Sequence, residues 1–137
     1  MEIKYPDHWI IGADQVLTCG DIWIDKAHNR EEALETLEIL SGRNHELHTA
    51  ACVMRDAIVH WHYVDTTKLR MRHLNRDFIK GYLDQAGDEV LSSVGCYQIE
   101  SLGAQLFERV QGDHFSIQGM HLLPLVAFLQ SRGLLPK

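Results

Sequence analysis

The stretch Trp9-Ile10-Ile11-Gly12-Ala13-Asp14-Gln15-Val16 organises the chain, because its apolar entry ends on a single carboxylate, Asp14. Trp9, Ile10 and Ile11 form an unbroken run of β-formers, which predicts a strand buried on both faces. Gly12 and Ala13 then remove side-chain bulk just before Asp14, so that another backbone or a ligand can approach closely. A carboxylate displayed at the end of a buried strand is suited to hold a metal or act as a base. An Asp that caps the following turn is the other reading of the same octet.

Working outward, the 137 residues suit one domain, 1–137, long enough to bury roughly two-thirds of the surface of the unfolded chain. Apolar residues at 45% and charged residues at 23% describe an ordinary soluble globular protein and exclude a largely disordered one. The net charge of −6 gives no overall field for binding nucleic acid or an anionic membrane nonspecifically. A polyanionic nucleotide would therefore need a local cation or a divalent metal. Cys19, Cys52 and Cys96 are odd in number and have no paired spacing, which predicts reduced thiols in a cytoplasmic protein. No apolar run approaches the roughly 18 residues of a spanning helix, and the N-terminus lacks a basic-then-apolar signal.

Taken in order, Met1–His8 is a polar lead-in. Thr18–Asp21 reads as a turn into a short strand at Ile22–Ile24, a hairpin. Asn29 and Glu32 have capping-box spacing, and Ala33, Leu34, Leu37 and Leu40 recur at helical intervals, so a helix spans Arg30–Leu40, with Gly42 just beyond its end. A largely buried strand follows at His45–Arg55, then a tight turn at Asp56-Ala57 and a long extended segment at Ile58–Arg72. Asn75 caps a second helix that carries Phe78, Ile79, Tyr82 and Leu83 and ends at Gly87. Asp88–Val94 reads as a loop and Ala104–Val110 as a strand. Ser116 opens a last helix with Met120, Leu123, Val126 and Leu129 as its stripe, kinked or started by Pro124. Interleaved strands and helices without repeats predict an α/β class with a mixed sheet.

Three ordered segments carry a resemblance: Ile11-Gly12-Ala13-Asp14-Gln15-Val16; Leu40-Ser41-Gly42-Arg43-Asn44-His45-Glu46-Leu47-His48-Thr49; and Gly95-Cys96-Tyr97-Gln98-Ile99-Glu100, followed by Leu106-Phe107-Glu108-Arg109-Val110-Gln111-Gly112-Asp113. Together they resemble the Maf family of nucleoside triphosphate pyrophosphatases over nearly the whole chain. The resemblance implies an elongated mixed sheet flanked by helices, of the inosine-triphosphatase-like kind, with a nucleotide cleft and often a dimer. It also implies cleavage of ordinary or modified nucleoside triphosphates to monophosphate and pyrophosphate with a divalent metal, Mg or Mn, as a form of nucleotide house-cleaning. By resemblance, Asp14 is the catalytic carboxylate and metal ligand, and Lys26 contacts phosphate. Gln15, Glu100 and Arg43 belong to the substrate-binding set, the first two at positions tied to base selection.

These residue types suit the chemistry. Phosphoanhydride hydrolysis requires an activated water and neutralised phosphoryl oxygens. A carboxylate can hold Mg²⁺ and accept a proton, a lysine binds phosphate as a point charge, and Glu100 can accept from the amino or imino protons of a base. The chain departs from the family pattern in several places. The Ser- and Arg-bearing phosphate loop expected ahead of the Gly-Ala-Asp strand is absent from this sequence. Asp25-Lys26-Ala27 stands for Gly-Lys-Pro, Ser92-Ser93 for Asp-Lys, Ser101 for a glycine, and Met120-His121 for Leu-Pro. A short front end predicts an open strand edge and apolar surface that a second copy covers, hence a homodimer.

Other constellations are weaker. Nine histidines include the pairs His45/His48 and His60/His62, but no further ligand with zinc spacing is evident, and partly exposed histidines are the default. Lys68, Arg70 and Arg72 alternate on a strand and read as a solvated face or a defended edge. No Ser-His-Asp, P-loop or Rossmann glycine pattern is present. Two functions follow: a metal-dependent pyrophosphatase centred on Asp14, or a catalytically impaired relative that serves as a self-associating or nucleotide-binding module.

Overall fold

The computed structural model describes residues 5–137, so the start of the polar lead-in at Met1–His8 lies outside the described residues. Strands β1 (Ile10–Cys19), β2 (Ile22–Ile24), β3 (Asn44–Arg55), β4 (Ile58–Met71) and β5 (Phe107–Gln111) form one sheet in the order β2-β1-β3-β4-β5. Four helices accompany it: α1 (Arg30–Leu40), α2 (Arg76–Ala86), the single turn α3 (His114–Ile117) and α4 (Leu122–Ser131). The α/β class therefore holds. Every described pairing is antiparallel, however, and the parallel component expected of a mixed sheet is not found among the described residues. Tight hairpins join β1 to β2 and β3 to β4, and such connections enforce antiparallel pairing.

Local chemistry sets the boundaries. The Asn29 side chain accepts the Glu32 N–H at 2.9 Å to cap α1, and Asn75 accepts the Phe78 N–H at 2.7 Å to cap α2. Gly42 and Gly87 turn the chain after each helix at φ 67° and 69°. The β3–β4 turn places Asp56 and Ala57 at φ 51° and 66°, the twist that two-residue hairpins require.

Alternation gives the sheet two faces. Leu17, Leu47, Leu69 and Met71 turn inward against Ala33, Leu37 and Leu40 of α1 and Ile79, Tyr82 and Leu83 of α2. The 3-10 segments Gly87–Ser92 and Val94–Cys96 close this core. Gly95 is required there: it sits at φ 81°, and a Cβ would lie 2.7 Å from Leu17 Cδ1. At the other end of the same face, α3 and α4 cover the β3–β4 hairpin, and Phe128 stacks on Trp61 at 6.0 Å. The opposite face carries Asp14, Thr66, Lys68 and Val64, the last 66% exposed.

Four expectations need correction. β1 is not buried on both faces, since Ile10 and Ile11 are 44% and 46% exposed and β2 pairs β1 only at Leu17–Cys19. Asp88–Val94 is mostly 3-10 helix. The strand expected at Ala104–Val110 starts at Phe107, because Leu102–Leu106 folds as a 3-10 turn in which the Gly103 N–H donates to Gln98 O. Finally, Asp113 rather than Ser116 caps the C-terminal helical region, and α4 is a separate helix with Pro124 in its first turn. It buries Leu125 and leaves Leu123 65% exposed.

Candidate active site

The 3-10 segments beside α1 pack near the Leu17 end of β1, α3 meets β1 at Gln15, and a cavity opens between them beside Asp14. Asp14 lies mid-strand rather than at a strand end, is exposed, and accepts its neighbour's N–H, Gln15 N to Asp14 Oδ1, at 2.9 Å. It lines an open cavity of about 230 Å³ together with Gln15, Lys26, Ser92, Ser93 and Gln118. Lys26 is exposed in the loop after β2 and is the only cation lining this cavity among the described residues. Ser92 and Ser93, the positions where the resemblance leads one to expect Asp-Lys, add hydroxyls instead of charges.

A smaller cavity of about 30 Å³ adjoins the first, sharing Gln15, Ser93, Val94 and Gln118 with it, and Glu100 is in its wall. The structure thus brings Asp14 and Lys26 to one cavity and Glu100 to its small neighbour, with Gln15 in the wall common to both. Arg43 is not brought there. It lies exposed in the turn from α1 to β3, where its carbonyl accepts the Met71 N–H at 3.1 Å.

Gln15 points away from Asp14, as successive strand residues must. Its Nε2 lies 2.9 Å from Ser116 O, 3.0 Å from Ile117 O and 3.1 Å from Thr49 Oγ1. The amide donor is therefore committed to protein, and only Oε1 is left to face a ligand. Beneath the Glu100 loop, His45 Nε2 and the Tyr97 hydroxyl share a hydrogen bond of 2.9 Å, and the Tyr82 hydroxyl donates to Cys96 O at 2.9 Å. Burial pushes both phenols up and holds His45 down at about 4, so this support is uncharged at neutral pH. Burial likewise raises the Cys96 thiol to about 11, and all three cysteines are free.

No group of three or more His, Cys, Asp and Glu side chains placed to hold a metal is found among the described residues. The side-chain oxygen donors lining the Asp14 cavity are one carboxylate, two serine hydroxyls and two amides, from Gln15 and Gln118. That set fits a hard cation such as Mg²⁺, which takes one or two protein carboxylates and completes its shell with water and phosphate.

A larger concavity of about 520 Å³ lies on the open face over the Thr18–Glu46–Lys68–Gln111 row. Its charges are largely answered: Lys68 faces Glu46 across the strands, and Arg70 meets Glu108 at 3.3 Å. Arg72, off the end of β4, donates to Gln105 O at 2.8 Å.

The family model described as "Maf-like protein" matches residues 1–132. The chain belongs to the Maf-like family. It is 50% identical over 135 residues to a nucleoside triphosphate pyrophosphatase of Nitrobacter hamburgensis, covering 98% of this chain and 67% of that relative. Proteins of the same name from Granulibacter bethesdensis and Paramagnetospirillum magneticum are 46% and 45% identical over 93% and 95% of the chain, and 64% and 67% of their own lengths. This Maf-like chain therefore spans about two-thirds of the length of the relatives it matches. Asp14, Lys26, Gln15 and Glu100, the positions expected from the sequence, line these cavities together with walls formed by Gln118 and Gly119 that the sequence did not suggest. Those residues carry no motif; only the fold brings them to β1.

Proposed function

We propose that this chain hydrolyses nucleoside triphosphates to monophosphate and pyrophosphate in the cleft beside Asp14. The observation that carries the reading is the convergence of Asp14 and Lys26 on one cavity that continues, through Gln15 and Gln118, to Glu100. The phosphates lie against Lys26, whose ammonium offsets charge on the phosphoryl oxygens as a point charge. Asp14 would hold a divalent Mg or Mn ion, which would supply further charge neutralisation at the phosphates. Asp14 accepts the proton of the attacking water as that oxygen bonds to the α-phosphorus. The bond from α-phosphorus to the bridging oxygen breaks, and pyrophosphate leaves with the electron pair. At the far end, Glu100 and Gln15 Oε1 present acceptors to base-edge amino or imino protons, which favours purine-like or modified bases. Arg43 takes no part in this scheme.

The names of the relatives support an enzyme acting on nucleotides, and three free cysteines suit a reducing, cytoplasmic compartment. Net charge argues against nucleic acid or membrane as partner. The open outer edge of β1 supports a homodimer. One observation favours a second reading: a single lysine in the phosphate half of the cleft suits a nucleotide-binding module of low or no turnover.

Pyrophosphate release over a panel of normal and modified nucleoside triphosphates, with Mg²⁺ or Mn²⁺, decides between them. The expected result is turnover that falls at least about 100-fold in Asp14→Asn, the loss typical of a group acting on the reacting atoms. Folded wild-type chain that releases no pyrophosphate from any substrate would overturn the enzyme reading.

A further inference from the structure

We propose that His121 is a positioning residue for the nucleotide cleft, holding the Ile117–Gly119 wall at a fixed distance from Gln15 and Asp14; this rests on the nucleotide reading above. His121 stands where the resemblance leads one to expect proline, so nothing in the family pattern assigns it a role. It is completely buried at the start of α4.

Its ring joins two elements. Nε2 lies 2.9 Å from the Thr49 carbonyl of β3, and Nδ1 lies 2.7 Å from Ser116 Oγ of α3. A carbonyl oxygen only accepts, so Nε2 carries the hydrogen, while the single hydrogen of the Ser116 hydroxyl is shared between two acceptor positions, Nδ1 and Asp113 Oδ2. Asp113 Oδ2 lies 3.0 Å from the same hydroxyl and 3.3 Å from Ser116 N, fixing the other side of the turn. Ser116 O in turn accepts from Gln15 Nε2 at 2.9 Å and from Thr49 Oγ1 at 3.1 Å. The Tyr63 ring packs on the imidazole at 4.6 Å between centroids. Strands β1 and β3 and the α3–α4 turn are thus tied by one buried polar cluster.

The tie matters because α3 is four residues long and cannot hold its own shape. Directly after Ser116, Ile117 and Gln118 line the Glu100 cavity, and Gln118 and Gly119 line the Asp14 cavity. The geometry of both ends of the cleft follows from where Ser116 is held. His121 touches neither cavity and acts only through this wall.

The test uses the full chain and His121→Phe, which keeps the ring volume and removes both hydrogen bonds. Hydrogen exchange and binding of α,β-methylene analogues of ATP and GTP, which cannot be cleaved at the reactive bond, are measured together. Expected are amide exchange in residues 114–119 at least about tenfold faster, unchanged protection in α1, and analogue binding about tenfold weaker. In turnover, KM rises while kcat stays within about threefold. His121→Gln, which can still donate to Thr49 O, recovers part of both effects. Should His121→Phe fail to fold, Ser116→Ala removes the Nδ1 partner together with the hydroxyl contact to Asp113, keeps the His121–Thr49 hydrogen bond, and is expected to loosen the same segment.

Unchanged exchange in residues 114–119 would overturn the tie itself. Faster exchange with unchanged analogue affinity would show a merely structural histidine and overturn the positioning role. Faster exchange in a chain whose wild type neither binds the analogues nor releases pyrophosphate would locate the failure in the nucleotide reading.

Discussion

At the residue scale, charge and burial separate what acts from what supports. Asp14 and Lys26 are exposed, so replacing them costs little in folding and is read in function: Lys26→Ala should raise KM about tenfold, the equivalent of one surface-accessible phosphate contact. Chelation of divalent ions by EDTA should abolish turnover, and excess Mg²⁺ should restore it. His45 is the reverse case. It is almost wholly buried, its Nδ1 has no partner, and burial holds it at about 4, below its ordinary 6.5. The unfolded chain therefore binds this proton first, and the associated stability is complete above pH 6.5 and lost as pH falls towards 4. The loss is on the order of 3 kcal/mol. Urea midpoints from pH 7 to 4 should fall less steeply in His45→Gln than in wild type; parallel slopes would assign the acid sensitivity elsewhere. Asp14, Lys26 and Glu100 could be picked out in the sequence because motif and chemistry agree. His121 could not, because its role depends on a carbonyl of β3 far away in the chain.

At the element scale, what was legible followed from local rules. α1 and α2 stand at the predicted residues, because Asn29 and Asn75 announce caps and Gly42 and Gly87 announce ends. The β3–β4 hairpin was legible from its β-branched run, and β1 was placed but misjudged in burial. Periodicity describes a segment's own faces and not which of them a neighbour covers. The stretch from Gly87 to Leu106 defeated the same logic. Its 3-10 turns depend on the close packing of Gly95 against Leu17 of β1 and of Gly103 against the Gln98 backbone, and neither approach has a periodic signature in the sequence. The β3–β4 turn offers a direct test. Ala57 sits at φ 66°, where its Cβ is strained and glycine is not. Ala57→Gly should therefore stabilise the protein by about 1 kcal/mol, against the usual entropic cost of glycine. A lowered Tm would show that the turn carries no such strain.

At the scale of the whole molecule, the described residues cover the sheet on one face and leave its edges incompletely paired. β2 protects β1 at Leu17–Cys19, leaving Ile10–Val16 with backbone groups unpaired on the outer side among the described residues. Ile10 at 44% and Trp23 at 73% exposure border this edge, and Val64 at 66% lies on the open face. A free edge bordered by exposed apolar side chains is a template for another strand. It also adjoins the cavity beside Asp14, since Ala13, Asp14 and Gln15 belong to both. A partner seated there would close the cleft from the side that the chain's own elements leave open, so self-association and activity should rise together with concentration. Light scattering at micromolar concentration should give twice the 15.7 kDa chain mass. Ile10→Lys, which places a charge on the edge without touching the core, should return the monomer mass and lower specific activity. A wild type that stays monomeric while fully active would show instead that the cleft is complete within one chain.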